Sequence, residues 1–239
     1  MKEGTSNNHS EEFEDMPLRG IRKAISIGLT QSKAPVPHFY LITEMDMEKI
    51  IALRKSLKET QEDVKITYND IFIKLTAQTL KEHLYMTSRF MGNKIRTFKN
   101  INLGFAVAIE DGLLVPVIKN CDKKNILDIA RESKALADKV KIKKLRFHEQ
   151  QGAVFTISNL GMYDIENFSA IINPPESAIL AIGSIIKKPV VMNDRIEIRH
   201  RMKVTLSCDH RVLDGTMGAL FLKSLKTNFE NPSTVKPKT

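Results

Sequence analysis

The sequence has no tryptophan, two cysteines, and no apolar run near the roughly 18 residues that a membrane-spanning helix needs. Cys121 and Cys208 show no metal-binding or redox spacing, which suits a reducing compartment. A phosphate-binding loop and a dinucleotide-binding glycine pattern are both missing. The polar, acidic N-terminal stretch does not resemble a signal peptide. These absences argue against a membrane-spanning chain, a cysteine metal or redox motif, and a P-loop or dinucleotide-binding enzyme.

The charge is distributed unevenly along the 239 residues. The net charge is +9, with −4 in residues 1–15 and +13 in the rest. A basic body can attract nucleic acid, a membrane surface or an acidic protein module. The basic residues are scattered, and no aromatic-plus-glycine pattern of an RNA-binding sheet is present, so nucleic acid is disfavoured. An ordinary solvated surface and an acidic protein partner both remain open.

The N-terminal end differs from the rest of the chain. Residues 1–15 read as the end of a disordered linker, and the rest reads as one domain without internal repeats; the resemblance described below implies bounds of 16–232 for that domain and a flexible tail over 233–239. The domain mixes strands and helices without a strict βαβ rhythm, which predicts an α/β (α+β) fold with a mixed sheet and helices packed on it. The predicted helices are 16–32, 48–59, 69–83 with Asn69 as cap, 126–140 with Asn125 as cap, and 216–229. The predicted strands are 38–47, 101–109, 113–119, 153–158, 177–186 and 201–207, with a turn at 110–112 between the second and third.

The stretch SCDHRVLDGT places chemically active side chains where a strand ends. His210 would be partly desolvated yet reachable there, and imidazole accepts and returns protons near neutral pH. Asp214 is expected to hold the loop in place, and Gly215 to free the backbone to turn into the next helix. The alternative is a structural histidine that is hydrogen-bonded to the fold.

A second stretch, FTISNLG, puts Ser158 and Asn159 at another strand end, before Gly161. A hydroxyl at that place can hydrogen-bond a developing oxyanion, although it can also be a simple turn serine. No G-x-S-x-G elbow is present, so Ser158 is a poor candidate for an acylated nucleophile. Further along, Asn173-Pro174-Pro175 reads as a rigid connector and nothing more.

Two other chemistries are conceivable at the same strand end. Cys208 lies two residues before His210, so a cysteine–histidine catalytic pair is conceivable, but a buried structural thiol is favoured. Cys208, His210 and His200 do not have the spacing of a zinc site, and no metal is expected.

Seven stretches, in this order, carry a family resemblance over about residues 16–232: MPLRGIRKAI, VPHFYL, NLGFAVAIEDGLLVPVI, FTISNLGMY, INPPESAILAIG, DHRVLDG and ENP. Together they resemble the catalytic core domain of dihydrolipoamide acyltransferases, the E2 components of 2-oxo acid dehydrogenase complexes. Chloramphenicol acetyltransferase looks like a more distant relative. The resemblance implies a chloramphenicol acetyltransferase-like mixed sheet assembled as a trimer. It also implies a cytoplasmic protein in a prokaryote or a mitochondrial matrix protein in a eukaryote.

The resemblance implies a role for each candidate residue. His210 matches the general base that deprotonates the thiol of coenzyme A, and Ser158 matches the hydroxyl that stabilises the tetrahedral oxyanion. Asp214 matches the acidic position of the motif, and by analogy with the acetyltransferase its partner would be an arginine in the first helix, Arg22. The family builds its site between subunits, with His210 from one subunit and Ser158 from the next.

Substrates and partners are likewise implied by the resemblance. Coenzyme A is a substrate, and the lipoyl group comes from a domain that this chain does not contain. The expected partners are further copies of the chain in a homotrimer, lipoyl domains, and E1 and E3 components through domains absent here. Neither nucleic acid nor a membrane is expected.

Some features depart from the family. Many relatives have a glycine where this chain has Asp164, and Thr87 and Ser88 keep only part of the usual Asn-Ala/Ser-Ser segment. The apolar C-terminal cluster that docks trimers to each other is missing, with Val235 the one apolar side chain there. Two alternative functions stay open: a non-catalytic structural hub, and a free-standing acetyltransferase acting on a small hydroxyl acceptor. The acyl group cannot be read from the sequence, although pyruvate or branched-chain enzymes look closer than 2-oxoglutarate ones.

Overall fold

A computed structural model describes residues 17–60, 64–110, 112–233 and 235; the predicted linker end, 1–15, lies outside this range. The helices are α1 (Gly20–Lys33), α2 (Glu48–Thr60), α3 (Tyr68–Glu82), α4 (Ile126–Lys141) and α5 (Gly215–Glu230). The strands are β1 (His38–Asp46), β2 (Ser88–Phe90), β3 (Ile95–Thr97), β4 (Leu103–Phe105), β5 (Val107–Ile109), β6 (Gly112–Leu114), β7 (Val117–Ile118), β8 (Phe155–Asn159), β9 (Ala178–Met192) and β10 (Arg195–Asp209). Within the described ranges, no helix has the length and apolar character needed to span a bilayer.

The domain contains the predicted mixed sheet, which has six strands. Its strand order is β1-β10-β9-β8-β4-β7. The β1–β10, β10–β9 and β4–β7 pairs are antiparallel, whereas β8 runs parallel to both β9 and β4. Two small hairpins, β2–β3 and β5–β6, stand outside this sheet.

The helices bury one face of the sheet. Phe155 and Ile157 of β8 point to that face, and the ring of Phe155 lies 5.7 Å from the ring of Phe221 in α5. Phe72 of α3 stacks on Phe229 of α5 at 5.3 Å, which ties the two helices together. Because side chains alternate along a strand, the residues of β8 between these apolar ones face the opposite side.

Local signals explain where the helices begin. Asn125 caps α4 as predicted, since its side chain accepts a hydrogen bond from the amide of Asp128 at 2.9 Å. The predicted cap at Asn69 is wrong. Thr67 caps α3 instead, because Thr67 and Asp70 form a reciprocal capping box in which each side chain bonds the other's backbone amide.

The two strands predicted between residues 101 and 119 are wrong in extent. Each one breaks, giving β4 and β5 in place of the first and β6 and β7 in place of the second. At the first break, the amide of Ala106 donates to the carbonyl of Ile157. At the second, Pro116 has no amide hydrogen to donate to a neighbouring strand, and its carbonyl accepts from the amide of Phe105. The β5–β6 hairpin thereby leaves the main sheet, while β4 and β7 stay in it.

Strands β9 and β10 are much longer than predicted. They form one hairpin whose turn residues, Asn193 and Asp194, both have positive φ angles of 49° and 60°. Asparagine and aspartate are the residues that tolerate this two-residue turn best after glycine. Past the sheet, the hairpin exposes Val191, Ile196 and Ile198.

The ends of the domain differ from expectation. Helix α1 begins at Gly20 rather than at residue 16, and two residues of the predicted apolar stripe, Leu18 and Leu29, are exposed. At the other end, Val235 is 2% exposed and packs in the core. Packed structure therefore extends three residues past the predicted boundary at 232, and Val235 is used within its own chain.

We expect Gly183→Ala to destabilise the protein by about 1–3 kcal/mol, the usual cost of forcing extra volume into a packed site. A Cβ at Gly183 would overlap the backbone oxygen of Glu166, and backbone cannot move aside as a side-chain tip can. The matched control is Gly28→Ala in α1, where a Cβ meets nothing within 4 Å and should stabilise the helix by roughly 0.5–1 kcal/mol. Urea unfolding at a fixed protein concentration measures both changes, and an unchanged midpoint for Gly183→Ala would refute the steric account.

Candidate active site

His210 lies immediately beyond β10, on a turn that is tied to the start of β1. Its backbone amide donates to the carbonyl of Pro37 at 3.0 Å, and its ring lies 4.7 Å from the ring of Phe39 at a tilt of 54°. The residue is exposed. The imidazole therefore packs against an aromatic ring while the residue remains exposed to solvent.

Two charged neighbours fix this turn. Asp209 is 2% exposed, and its carboxylate accepts from the backbone amide of Arg211 and from the Nε and Nη2 atoms of the same residue, at 2.8–3.3 Å. The guanidinium also lies over the ring of Phe90, 4.3 Å from its centroid. Sequence reasoning missed both residues, although an acid and an arginine on either side of His210 were the signal that could have found them.

Asp214 begins the next helix. Its side chain accepts a hydrogen bond from the amide of Met217 at 2.8 Å, so it is the N-cap of α5. This contact supports the expectation that Asp214 holds the loop in place. The reason given for Gly215 is wrong: it has no positive φ, and a Cβ there would meet nothing within 4 Å, so the turn does not require glycine.

Ser158 and Asn159 end strand β8, and both are half-buried. Ser158 points away from the helix-covered face, on the same side as Thr156. The side chain of Asn159 accepts from the amide of Gly161 at 2.8 Å, which closes the turn after the strand. Asn159 therefore shapes the loop that follows Ser158.

The loop after Ser158 is fastened to β9. The hydroxyl of Ser184 donates to the carbonyls of Gly161 and Ile165, and Gly183 leaves room for the backbone of Glu166. Asp164 has a φ of 60° and is exposed, so it occupies the left-handed conformation that glycine favours and that aspartate tolerates. A glycine would fit this backbone conformation equally well.

Within one chain, the sheet keeps Ser158 and His210 apart. Ser158, Ala181 and Thr205 lie side by side across β8, β9 and β10, and His210 is five residues beyond Thr205. Two strand spacings and five residues along a strand amount to a separation on the order of 20 Å between their Cα atoms. His210 and Asp214 therefore share the segment between β10 and α5, whereas Ser158 of the same chain is distant from His210.

Arg22 lies in α1, and the ion pairs found among the described residues do not include one between Arg22 and Asp214. The proposed pairing of these two residues stays a prediction.

The segment read as a mere connector has a larger role. Glu176, which follows Asn173-Pro174-Pro175, is buried, and its Oε1 atom accepts from Asn173 Nδ2 at 2.7 Å and from Thr156 Oγ1 at 3.0 Å. Sequence reasoning missed it because a glutamate after two prolines reads as a surface residue. Nearby, the partial match at Thr87 and Ser88 is buried, and the carbonyl of Ser88 accepts from Ser177.

Cys208 and His200, which were considered for cysteine or zinc chemistry, have other environments in the structure. Burial raises the pKa of the Cys208 thiol to about 12, so it stays protonated and is a poor nucleophile. His200 is committed to Glu48, whose carboxylate lies 2.8 Å from its Nδ1 atom. No group of three or more potential ligands that could hold a metal occurs among the described residues.

The comparisons with known proteins agree on one family. Residues 10–236 match the family described as 2-oxoacid dehydrogenases acyltransferase (catalytic domain). The chain is 44% identical over 229 residues to the dihydrolipoyllysine-residue acetyltransferase component of the pyruvate dehydrogenase complex of Rickettsia conorii; the match covers 95% of this chain and 56% of that protein. The chain thus spans just over half the length of this relative.

Solved structures give the same result. A dihydrolipoamide acetyltransferase of Azotobacter vinelandii superposes with a TM-score of 0.90 at 33% identity, covering 94% of each chain. That protein is described with catalytic roles for a serine, a histidine fifty-two positions later and an asparagine four positions after the histidine. A chloramphenicol acetyltransferase, at 11% identity and a TM-score of 0.55 over 82% of this chain and 89% of that one, shows the shared fold alone. The chain belongs to the 2-oxoacid dehydrogenase acyltransferase family, as its catalytic domain.

Proposed function

We propose that this domain transfers an acyl group, with acetyl favoured by its relatives, between a dihydrolipoyl group and coenzyme A. One observation carries the proposal. The exposed imidazole of His210 lies on the turn that the Asp209–Arg211 pair fixes, and His210 follows Ser158 by as many residues as the histidine follows the serine in the Azotobacter enzyme. In that enzyme an asparagine follows where this chain has Asp214. Asparagine and aspartate are equally good helix N-caps, so the substitution preserves the role seen here.

The chemistry needs one base and one hydrogen-bond donor. His210 takes the proton from the thiol of coenzyme A, and the thiolate attacks the carbonyl carbon of the acyl-lipoyl thioester. The carbonyl oxygen becomes an oxyanion, to which the hydroxyl of Ser158 donates. The intermediate expels the lipoyl thiolate, which receives the proton from the imidazolium, leaving acyl-CoA and dihydrolipoyl. No nucleophile of the protein is acylated.

A second copy of the chain completes the site. The separation of about 20 Å within one sheet is too large for His210 and Ser158 to act on one carbonyl, which needs both groups within a few ångströms. We therefore assign His210 of one subunit and Ser158 of its neighbour to each site, in a homotrimer. The lipoyl group arrives on a separate lipoyl domain, which the excess of basic residues would attract if that domain is acidic.

Substituting either group should reduce turnover. We expect His210→Ala to lower kcat about 10²–10⁴-fold, the range for a general base, and Ser158→Ala about 10²–10³-fold, as for one oxyanion donor. The assay is acetyl transfer from acetyl-CoA to dihydrolipoamide. Full activity of His210→Ala would refute the base assignment, and an inactive wild type that still forms a stable oligomer would favour the structural hub.

Mixed oligomers test where the site lies. His210→Ala and Ser158→Ala chains, carrying different tags, are co-expressed and purified through both tags in succession. Every mixed trimer then holds one site with both native groups, so about a third of wild-type activity should return, because a closed ring of three has one such junction. Activity no higher than that of the two single variants would mean that each site lies within one chain.

The Asp209–Arg211 ion pair on either side of His210, called the clamp below, gives a separate prediction. Arg211→Lys replaces a planar fork by a single ammonium group and loses the bidentate contact with Asp209. We expect kcat to fall on the order of tenfold or more while both KM values change little, because the imidazole is displaced and the substrates are not. Arg131→Lys, on the exposed face of α4, is the control. Equal kcat values for the two variants would show that the clamp does not position His210.

A further inference from the structure

Glu176 is a buried acid that the proposed reaction does not use. It is 6% exposed and lies just before β9, where Thr156 and Asn173 both donate to its Oε1 atom. The other carboxyl oxygen, Oε2, is also buried and has no hydrogen-bond partner among the described residues. A buried oxygen without a partner is rare in native proteins and asks for an explanation.

Glu176 and the residue that follows it contact the supports of the two proposed catalytic groups, one each. Thr156 lies two residues before Ser158 on the same face of β8, and its hydroxyl is held by Glu176. On the other side, the carbonyl of Ser177, the next residue, accepts from the amide of Asp209 at 2.8 Å, and His210 follows directly. One short segment thus braces the strand that carries the hydroxyl and the turn that carries the imidazole.

Arg89 of β2 is the charged group that acts on Glu176. Its Nη2 atom donates to the carbonyl of Ala153 at 2.5 Å, just before β8, while its buried Nε atom has no partner in the described chain. The neighbouring residue, Phe90, lies under the guanidinium of Arg211. A change at Arg89 therefore reaches β8 through Ala153 and the His210 turn through Phe90.

The other charges nearby are already committed or act indirectly. Asp209 and Arg211 neutralise each other at the turn, and Arg96 of β3 acts on Arg89 rather than on the acid. The side chains that hydrogen-bond Glu176 in the described part of the chain, Thr156 and Asn173, are uncharged.

The surroundings of Glu176 place its titration in the working range of pH. Burial raises its pKa to about 7, and the hydrogen bonds from Thr156 and Asn173 and the charge of Arg89 offset part of that rise. Within that range the carboxyl changes from a neutral group to a buried anion, and Arg89, the cation that acts on it, has a buried Nε atom without a partner in the described chain.

We propose that Glu176 is a positioning residue that holds the Ser158 strand and the His210 turn together, and that loss of its proton draws Arg89 toward it and loosens both. The inference rests on the proposed function. Because Ser158 and His210 of one chain would serve different sites of the trimer, Glu176 also links two neighbouring active sites.

The test compares kcat from pH 6 to 9 for the wild type, Glu176→Gln and the control Glu59→Gln, an exposed acid on α2. The amide is uncharged at every pH, so it mimics the protonated acid. We expect kcat of the wild type and of Glu59→Gln to decline on the alkaline side with a midpoint at about 7, and that of Glu176→Gln to show no such decline. KM for both substrates should stay within about twofold, because positioning of reacting groups mainly affects kcat.

Stability gives a second readout with a defined sign. The folded protein holds the Glu176 proton more tightly than the unfolded chain, whose value is near 4.5, so the free energy of unfolding should fall as the pH rises from 4.5 to about 7. Glu176→Gln should lack this contribution to the fall, whereas Glu59→Gln should keep it.

A pair of variants at Thr156 covers the case in which Glu176→Gln does not fold. Thr156→Val removes the hydroxyl that bonds the acid and should lower kcat on the order of tenfold or more, while Thr156→Ser keeps it and should restore most of the activity. An inactive wild type would overturn the proposed function itself. An active wild type whose pH profile is unchanged by Glu176→Gln, or equal activity of the two Thr156 variants, would overturn the inference alone.

Discussion

The directions of strands β8, β9 and β10 determine which of the proposed catalytic groups a single chain can bring together. Strand β8 runs parallel to β9, and β10 runs antiparallel to it, so the end of β8 and the end of β10 lie at opposite ends of the sheet. Ser158 stands at one end and His210 at the other. Neither residue can move to the other without breaking the longest ladder of the fold. The proposed chemistry therefore depends on contact between subunits. Each chain supplies two half-sites, one with Ser158 and one with His210, and each half-site is completed by a different neighbour.

Each half-site is stabilised by polar contacts behind it rather than by the sheet alone. At the His210 end, Asp209 is buried but paired with Arg211 in bidentate geometry. Removing Arg211 would leave the buried carboxylate of Asp209 without its compensating charge. At the Ser158 end, Ser184 and Asn159 hold the loop by hydrogen bonds to backbone. Polar contacts thus fix both ends without any substrate, which favours a preorganised site.

The small strand β2 joins these supports. Its three residues contact three different parts of the site: Ser88 bonds Ser177, Arg89 bonds Ala153, and Phe90 lies under Arg211. A hairpin outside the main sheet therefore braces the turn with the proposed base and the strand with the proposed hydrogen-bond donor. This arrangement explains why the partial match at Thr87 and Ser88 is buried although it lies far from both groups in sequence.

Much of the site could be predicted from sequence because local patterns determine it. Alternating apolar residues placed His210 and Ser158 at strand ends, and a polar residue before a periodic run identified Asn125 as a cap. The order and spacing of several motifs then identified the family, which no single motif could do.

The parts that were missed depend on tertiary contacts. Asp209 and Glu176 are acids in buried positions, where composition predicts exposure, and only their partners make burial tolerable. One miss is local instead: Thr67 rather than Asn69 caps α3 because Thr67 and Asp70 pair reciprocally, and their spacing is visible in the sequence. The breaks at Ala106 and Pro116 arise where the chain passes between two sheets, and periodicity does not report on that.

The central claim is that His210 of one subunit faces Ser158 of the next. A cryo-electron microscopy structure of the assembled protein measures this directly, as the distance from the His210 imidazole to the nearest Ser158 hydroxyl of another chain. The account predicts roughly 6–8 Å, because a reacting carbonyl between them has to lie about 3 Å from each group. A separation of tens of ångströms across every subunit contact would contradict it.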